Sequence, residues 1–316
     1  MSPLSLEISL AILLGAIAID LIFGEPRKYV HPSTVIRRTG QFFDPYMRIM
    51  KDKQLAGFLY ALLVCLIFAG LIFGVLFVTS GFVIAYVIIA IILLKGTFSL
   101  TSIGQDISPV VKALEEGRTD EARTFASRVI RRDTTGLDAS GISSAIIETI
   151  SISLLNDVFA PLFYFSLFGI VGAFISRVVN ILDTLVGQKN RKNYDFGKWP
   201  AILHTVLNYI PSKIVSFFIM LGSELLNYRV NSISFIAART AADSPNNGWA
   251  MGAMASSLNL RLEKVGYYIL NDGGFEPSVG DIKRALRTYY MAFYVFLIIY
   301  VIPVMLIIYF LFFPSI

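Results

Sequence analysis

Three clusters of polar residues interrupt an otherwise apolar chain, and each combines carboxylates with cations or amides. The first is Asp20, followed by Gly24-Glu25-Pro26-Arg27, His31-Pro32 and Gly40. The prolines stiffen the turns that hold these titratable groups, although an ordinary capped exit loop uses the same residues. The second runs Arg131-Arg132-Asp133-Thr134-Thr135-Gly136-Leu137-Asp138 into a segment carrying Glu148. Asp133, Asp138 and Glu148 offer oxygen ligands of the kind that hold Mg²⁺, and arginine suits phosphate. Ser144, Glu148 and Ser151 fall at i, i+4 and i+7, hence on one helical face. A capped helix whose polar face packs inward fits this pattern equally. The third places Arg177, Asn180, Asp183, Thr184 and Gly187 on one helical face, with Lys189 and Arg191 just beyond. Asp and Asn on one face beside basic residues suit a metal–phosphate site. A solvated juxtamembrane helix is the alternative, but it does not explain Asn180 and Asp183 so close to an apolar run.

The common catalytic signatures are absent: no phosphate-binding loop, no dinucleotide fingerprint, no zinc-protease helix, no nucleophile elbow. His31 and His204 are the only histidines and Cys65 the only cysteine, which excludes a disulfide scaffold and a cysteine-built zinc site. Of 316 residues, 55% are apolar and 16% charged, with mean hydropathy +0.68. Soluble domains carry roughly 25% charged residues, so the composition excludes disorder and points to an integral membrane protein. The net charge of +5 comes from basic loops between apolar runs, a pattern of membrane spans rather than of nucleic-acid binding.

The elements that must position the polar clusters are therefore mostly spanning helices. Residues 4–23 form one apolar run, broken by Glu7 and Asp20; no basic leader and no cleavage site mark it for removal. Residues 55–94 suffice for two crossings, near 55–78 and 80–94, turning at Thr79-Ser80-Gly81. Residues 142–175 are apolar but carry Glu148, Asn156 and Asp157, which predicts a broken or re-entrant pair, or a buried helix leading into a span near 158–176. The last span is expected near 289–313, with a kink at Pro303; residues 202–221 stay undecided. Soluble helical segments are expected over 105–140 and 223–287, with Thr119 capping a helix. No strand alternation is visible. The expectation is an all-α, polytopic integral membrane protein with cytoplasmic helical loops, residues 1–316 forming a single membrane-embedded domain. The basic loops at 24–54 and 95–141 assign the cytoplasmic side.

At these residues the chain resembles the cobalamin-biosynthesis CobD/CbiB family, the membrane adenosylcobinamide-phosphate synthases. The matching pieces are Asp20…Gly24-Glu25-Pro26…His31-Pro32…Gly40, Arg132-Asp-Thr-Thr-Gly-Leu-Asp138, Glu148, Ala160-Pro-Leu-Phe-Tyr164, Asn180-Ile-Leu-Asp183-Thr-Leu-Val-Gly187, Tyr194-Asp-Phe-Gly197, Asn208-Tyr-Ile-Pro211 and Ser244-Pro-Asn-Asn-Gly-Trp249. They follow the family's order and cover most of the chain from Asp20 to about residue 287.

The resemblance implies an ATP- and Mg²⁺-dependent ligase that joins aminopropanol, or its phosphate, to a propionate carboxyl of the corrinoid adenosylcobyric acid. The polar clusters are the right material for that chemistry: Asp133, Asp138, Glu148, Asn180 and Asp183 are expected to serve catalysis, with Asp138, Glu148 and Asp183 as Mg²⁺ ligands. Arg132, Lys189, Arg191, Asp20, Glu25 and His31 are expected to bind phosphate or substrate. The lipid bilayer and other cobalamin-pathway enzymes are the implied partners; nucleic acid is not.

The chain departs from the family pattern at polar positions. Ile152-Ser153 stands where the family usually has Glu-Asn, Asn156-Asp157 where it has Asp-Gly, His204-Thr205 where it has Asp-Asp, and Ala250-Met251 where it has Pro-Glu. Losing several carboxylates together weakens a metal site. Two further readings follow: a non-catalytic relative that binds corrinoid or scaffolds pathway enzymes, and a small-solute transporter built on Glu148 and Asp157.

Overall fold

The structure is a computed structural model, and it describes residues 6–25, 32–130, 132–187 and 193–312. It is nearly all helix, as the apolar patterning predicts. The chain forms two compact units. The first takes Met1–Leu100, Ala160–Asn208 and Val301–Ile316; the second takes Thr101–Phe159 and Tyr209–Tyr300.

The first unit holds α1 (Leu6–Phe23), α2 (Pro32–Met47), α3 (Lys53–Thr79), α4 (Val83–Lys95), α8 (Ala160–Val186), α9 (Lys198–Leu207) and α14 (Ile302–Phe312). Asp52 starts α3 by accepting hydrogen bonds from the amides of Gln54 and Leu55. The α3–α4 hairpin turns where Thr79-Ser80-Gly81 predicts. Its second arm has 13 residues, about 20 Å of helix, whereas a bilayer core is about 30 Å thick. α4 packs on α1 and is shorter than the helices long enough by themselves to cross.

The basic stretch expected as a loop contains α2, an amphipathic helix whose Ile36 and Gly40 face inward. Ile36, Tyr60, Val64, Val178, Leu182 and Phe196 share one buried core. Gly57 lets α3 approach the Phe196 carbonyl, which any Cβ there would strike. In α8, Gly169 adopts φ 65°, ψ −157°, a break that an L side chain resists. The expected span near 158–176 is therefore a kinked one.

The second unit holds α5 (Ser102–Glu115), α6 (Thr119–Ala126), α7 (Ala139–Ser153), α10 (Tyr209–Leu225), α11 (Ser232–Ala241), α12 (Pro245–Leu258) and α13 (Val279–Phe296). Thr119 is the first residue of α6 rather than its cap. Arg118 precedes it and pairs with Glu116 and Glu121. α7 is buried almost throughout, and Phe159, Phe218 and Phe296 form an aromatic cluster, two of them stacked at 4.0 Å.

Irregularities interrupt this helical pattern, among them π-helical turns over Leu154–Phe159 and Leu297–Val301 and a short hairpin. A two-stranded antiparallel hairpin, β1 (Leu262–Lys264) and β2 (Tyr268–Leu270), pairs Leu262 with Leu270 and Lys264 with Tyr268. Three-residue strands are too short for alternation to register. A π-helical turn over Leu297–Val301 precedes Pro303. A proline inside a helix removes one backbone hydrogen bond and crowds the preceding carbonyl, and the wider turn sits where that strain falls.

Four described helical segments are long and apolar enough to cross a membrane: Leu6–Phe23, Lys53–Thr79, Ala139–Val186 and Val279–Leu311. A fifth crossing results if α9 and α10 count as one span. The protein is a multi-pass membrane protein.

Candidate functional site

Among the described residues, the polar positions that the sequence singles out gather in three centres, two in the first unit and one in the second.

The centre in the second unit is built on Glu148. This carboxylate is buried on α7, where an uncompensated charge is costly, and it is compensated from three directions. Tyr268 Oη donates to Glu148 Oε2 at 2.7 Å. Ser144, one turn earlier on α7, donates to Oε1 at 3.4 Å and accepts from the Glu263 amide at 2.9 Å. Arg132 Nη2 lies 3.4 Å from Glu148 Oε1 and 3.2 Å from the Glu263 carbonyl oxygen. Lys264 Nζ, next along β1, stands 3.7 Å from Asp243 Oδ2 and 5.8 Å from the centre of the Tyr268 ring.

The loop carrying Arg132 is held by α6. Arg123 Nε donates to the Leu137 carbonyl at 2.6 Å, and Thr134 Oγ1 donates to the Arg123 carbonyl at 3.1 Å. Burial first, and the Glu148 charge after it, push the Tyr268 phenol far above its ordinary pKa. Tyr268 therefore stays protonated and remains a donor. Arg132 Nε and Nη1 are buried and have no hydrogen-bond partner among the described residues. The site thus offers a carboxylate, a phenol donor and two uncommitted guanidinium nitrogens suited to an oxyanion.

The first unit holds a triad on Lys95, the last residue of α4. Lys95 Nζ lies 2.8 Å from Asp20 Oδ1 and 3.1 Å from Glu25 Oε1. Asp20 is 0% exposed and Lys95 5%. Asp20 Oδ2 also accepts the Leu100 amide at 3.2 Å. Gly24, with φ 65°, turns the chain out of α1 toward Glu25.

The other centre in this unit joins α8 to α9. Asp183 Oδ2 is 3.3 Å from His204 Nδ1, and His204 Nε2 is 2.7 Å from Asn208 Nδ2. With the Asn208 amide donating, Nε2 accepts and the imidazole proton sits on Nδ1, facing Asp183. Thr205 lines a cavity of about 420 Å³ with Gln54, Asn193, Asp195 and Lys198. Asn180 is half-buried one turn before Asp183.

The remaining expected site residues divide as follows. Asp138 caps α7, accepting from the Gly141 amide at 2.7 Å. Asp133 is exposed and accepts from the Thr135 amide at 3.0 Å and the Thr135 hydroxyl at 2.8 Å. The backbone bond first and the hydroxyl second hold its carboxyl below the usual range. His31, Lys189 and Arg191 lie outside the described residues. Asp138 and Glu148 belong to the second unit and Asp183 to the first. Among the described residues no three His, Cys, Asp or Glu side chains stand together where they could hold a metal ion.

The sequence reading missed Lys95, Lys264 and Tyr268. Lys95 carried a signal, since a lysine closing a 40-residue apolar run requires a buried counter-charge. Tyr268 carried none, because its role depends on a hairpin too short to foresee.

The family model described as CobD/Cbib protein matches residues 13–298. The chain is 42% identical over 298 residues to a protein of Thermoplasma volcanium named "Probable cobalamin biosynthesis protein CobD", covering 94% of this chain and 98% of that one. It is 43% identical over 294 residues to a protein of the same name from Thermoplasma acidophilum, covering 93% and 97%. A third, from Pyrococcus furiosus, is 33% identical over 293 residues, covering 90% and 95%. No solved structure matches the chain.

Proposed function

This chain belongs to the CobD/Cbib family of cobalamin biosynthesis proteins, and on that basis we propose that it forms an amide at the corrin periphery. The acceptor is the propionate carboxyl of adenosylcobyric acid, the nucleophile is aminopropanol or its phosphate, and ATP is consumed. The product is adenosylcobinamide or its phosphate. A carboxylate does not react with an amine directly; phosphoryl transfer from ATP turns its oxygen into a leaving group. The amine nitrogen then attacks the carbonyl carbon, the C–O bond to phosphate breaks, and inorganic phosphate departs.

The observation that carries this reading is the Glu148 centre. Arg132, with two uncommitted buried nitrogens, is the residue placed to neutralise the phosphoryl oxygens as charge develops. Glu148 is the group that receives the incoming ammonium and takes its proton, so that the nitrogen lone pair becomes available. Tyr268 and Ser144 hold the carboxylate in place. Magnesium would enter with the nucleotide, whose phosphates commonly supply most of its ligands. The basic loops support a cytoplasmic active face.

The test is direct. Purified protein is mixed with adenosylcobyric acid, aminopropanol phosphate or aminopropanol, ATP and Mg²⁺, and the amide is sought by mass. The native chain is expected to give product and Glu148→Gln to give none. Corrinoid binding without product would instead support the non-catalytic reading.

A further inference from the structure

A cavity in the second unit shares no residue with the Glu148 centre. Its volume is about 670 Å³, within the range of small-molecule sites. It lies among the loop after α10, the start of α11, the end of α12 and the first turns of α13. Arg229 and Arg284 line it and no acidic side chain does.

Arg229 is exposed and makes no ion pair among the described residues. Arg284 gives Nη1 to Asp281 at 2.7 Å and lies 4.8 Å from the centre of the Tyr228 ring. Asp281 is itself occupied by the Ser278 amide and hydroxyl at 2.9 and 2.7 Å. The start of α11 adds its dipole but few donors, because Asn231 already caps the Ile233 and Ser234 amides.

The independent observation is Ser257. It lines the cavity, is 1% exposed, and its hydroxyl has no hydrogen-bond partner among the described residues. Buried hydroxyls are rarely left unpaired without reason. The remaining lining is apolar at the mouth: Ile233 is 83% exposed and Phe275 72%. Large apolar side chains beside two arginines suit an amphiphile rather than a free inorganic ion.

We propose that this cavity binds a phosphate ester, its phosphate held by Arg229 and Arg284 with Ser257 hydrogen-bonding deeper in; the acyl chains of a lipid ligand would rest on Ile233 and Phe275. Two sources supply that chemistry: the headgroup of an anionic membrane lipid, and a soluble phosphate ester.

The experiment uses the full chain in phosphatidylcholine nanodiscs. One arm adds phosphatidylglycerol to the discs and counts retained lipid by native mass spectrometry. The other titrates glycerol 3-phosphate calorimetrically. Each is run on the native chain, on Arg229→Gln and on Ser257→Ala. Arg229 is exposed and its loss spares the core; Ser257→Ala removes one oxygen from a packed helix.

Binding that weakens at least about tenfold in Arg229→Gln and about threefold in Ser257→Ala is expected. If phosphatidylglycerol shows this dependence, the ligand is a lipid; if glycerol 3-phosphate shows it, the ligand is soluble. Absence of binding in both arms, or binding indifferent to both substitutions, overturns the proposal. The readout is binding alone, so failure here leaves the reading of the Glu148 centre standing.

Discussion

The Lys95 triad and the Glu148 centre are both buried meetings of opposite charge, yet they are finished differently. At Lys95 one ammonium faces two carboxylates, and a backbone amide takes a further oxygen of Asp20. Opposite charges hold each other there, with Asp20 and Lys95 buried and Glu25 partly exposed. At Glu148 the carboxylate is satisfied by Tyr268, Ser144 and Arg132, while two nitrogens of Arg132 are left over. The first is a closed set, suited to fastening α1 to α4. The second is open on its cationic side, which is what a site for a transient anion requires. Burial of charge alone does not distinguish a fastening from a site; the inventory of unspent donors does.

The largest effect that would break this contrast is catalytic. Glu148→Gln keeps shape and removes the proton acceptor, and amide formation should fall by at least about a hundredfold, measured by product mass with the folded fraction held constant. Near-native turnover would make Glu148 a fastening like Lys95. Next comes stability at the closed set. Lys95→Met strands Asp20 in a water-free position and should cost about 3–5 kcal/mol, read from denaturant unfolding in detergent micelles. Adding Asp20→Asn to it should restore much of that loss, since two matched neutral residues avoid the stranded charge. A single mutant as stable as the parent would show the triad to be ornamental.

Tyr268→Phe sharpens the comparison from the other side. It removes one hydrogen bond to a charged group, worth about 1.5–3 kcal/mol. Turnover should drop about tenfold or more while the substrate dependence on ATP changes little. A smaller effect belongs to Asp138, whose carboxylate caps α7. Asp138→Ala should lower unfolding free energy by about 1 kcal/mol.

The smallest is the pH response of Asp133. Its folded pKa lies below the unfolded value of about 3.9, because Thr135 favours the carboxylate. Its contribution is therefore present above the unfolded value and lost as pH falls through the folded one. Asp133→Asn should slightly flatten the acid limb of the stability profile, and an unchanged limb would contradict the Thr135 turn.

Much of this was legible from the chain. The apolar runs at Leu6–Phe23 and Lys53–Thr79 have no soluble home, and their approximate extent follows from length and hydropathy. The i, i+4 spacing of Ser144 and Glu148 is geometry that any helix enforces, and the two side chains do meet. The short reach of α4 was less visible, because an apolar run of 40 residues does not announce where its hairpin bends. Asp133, Asp138 and Glu148 looked alike on paper as carboxylates near arginine. In the folded protein one closes a turn, one caps a helix and one is buried.

Sequence by itself determined that this is a multi-pass helical membrane protein of the cobalamin-biosynthesis family, since hydropathy and ordered motifs are local properties of the chain. Only the tertiary structure decided which charges meet. Lys95 finds Asp20 75 positions away, and Tyr268 finds Glu148 120 positions away through a three-residue strand. Such pairings depend on how helices pack, and packing is set by the sum of many weak contacts that no single motif records.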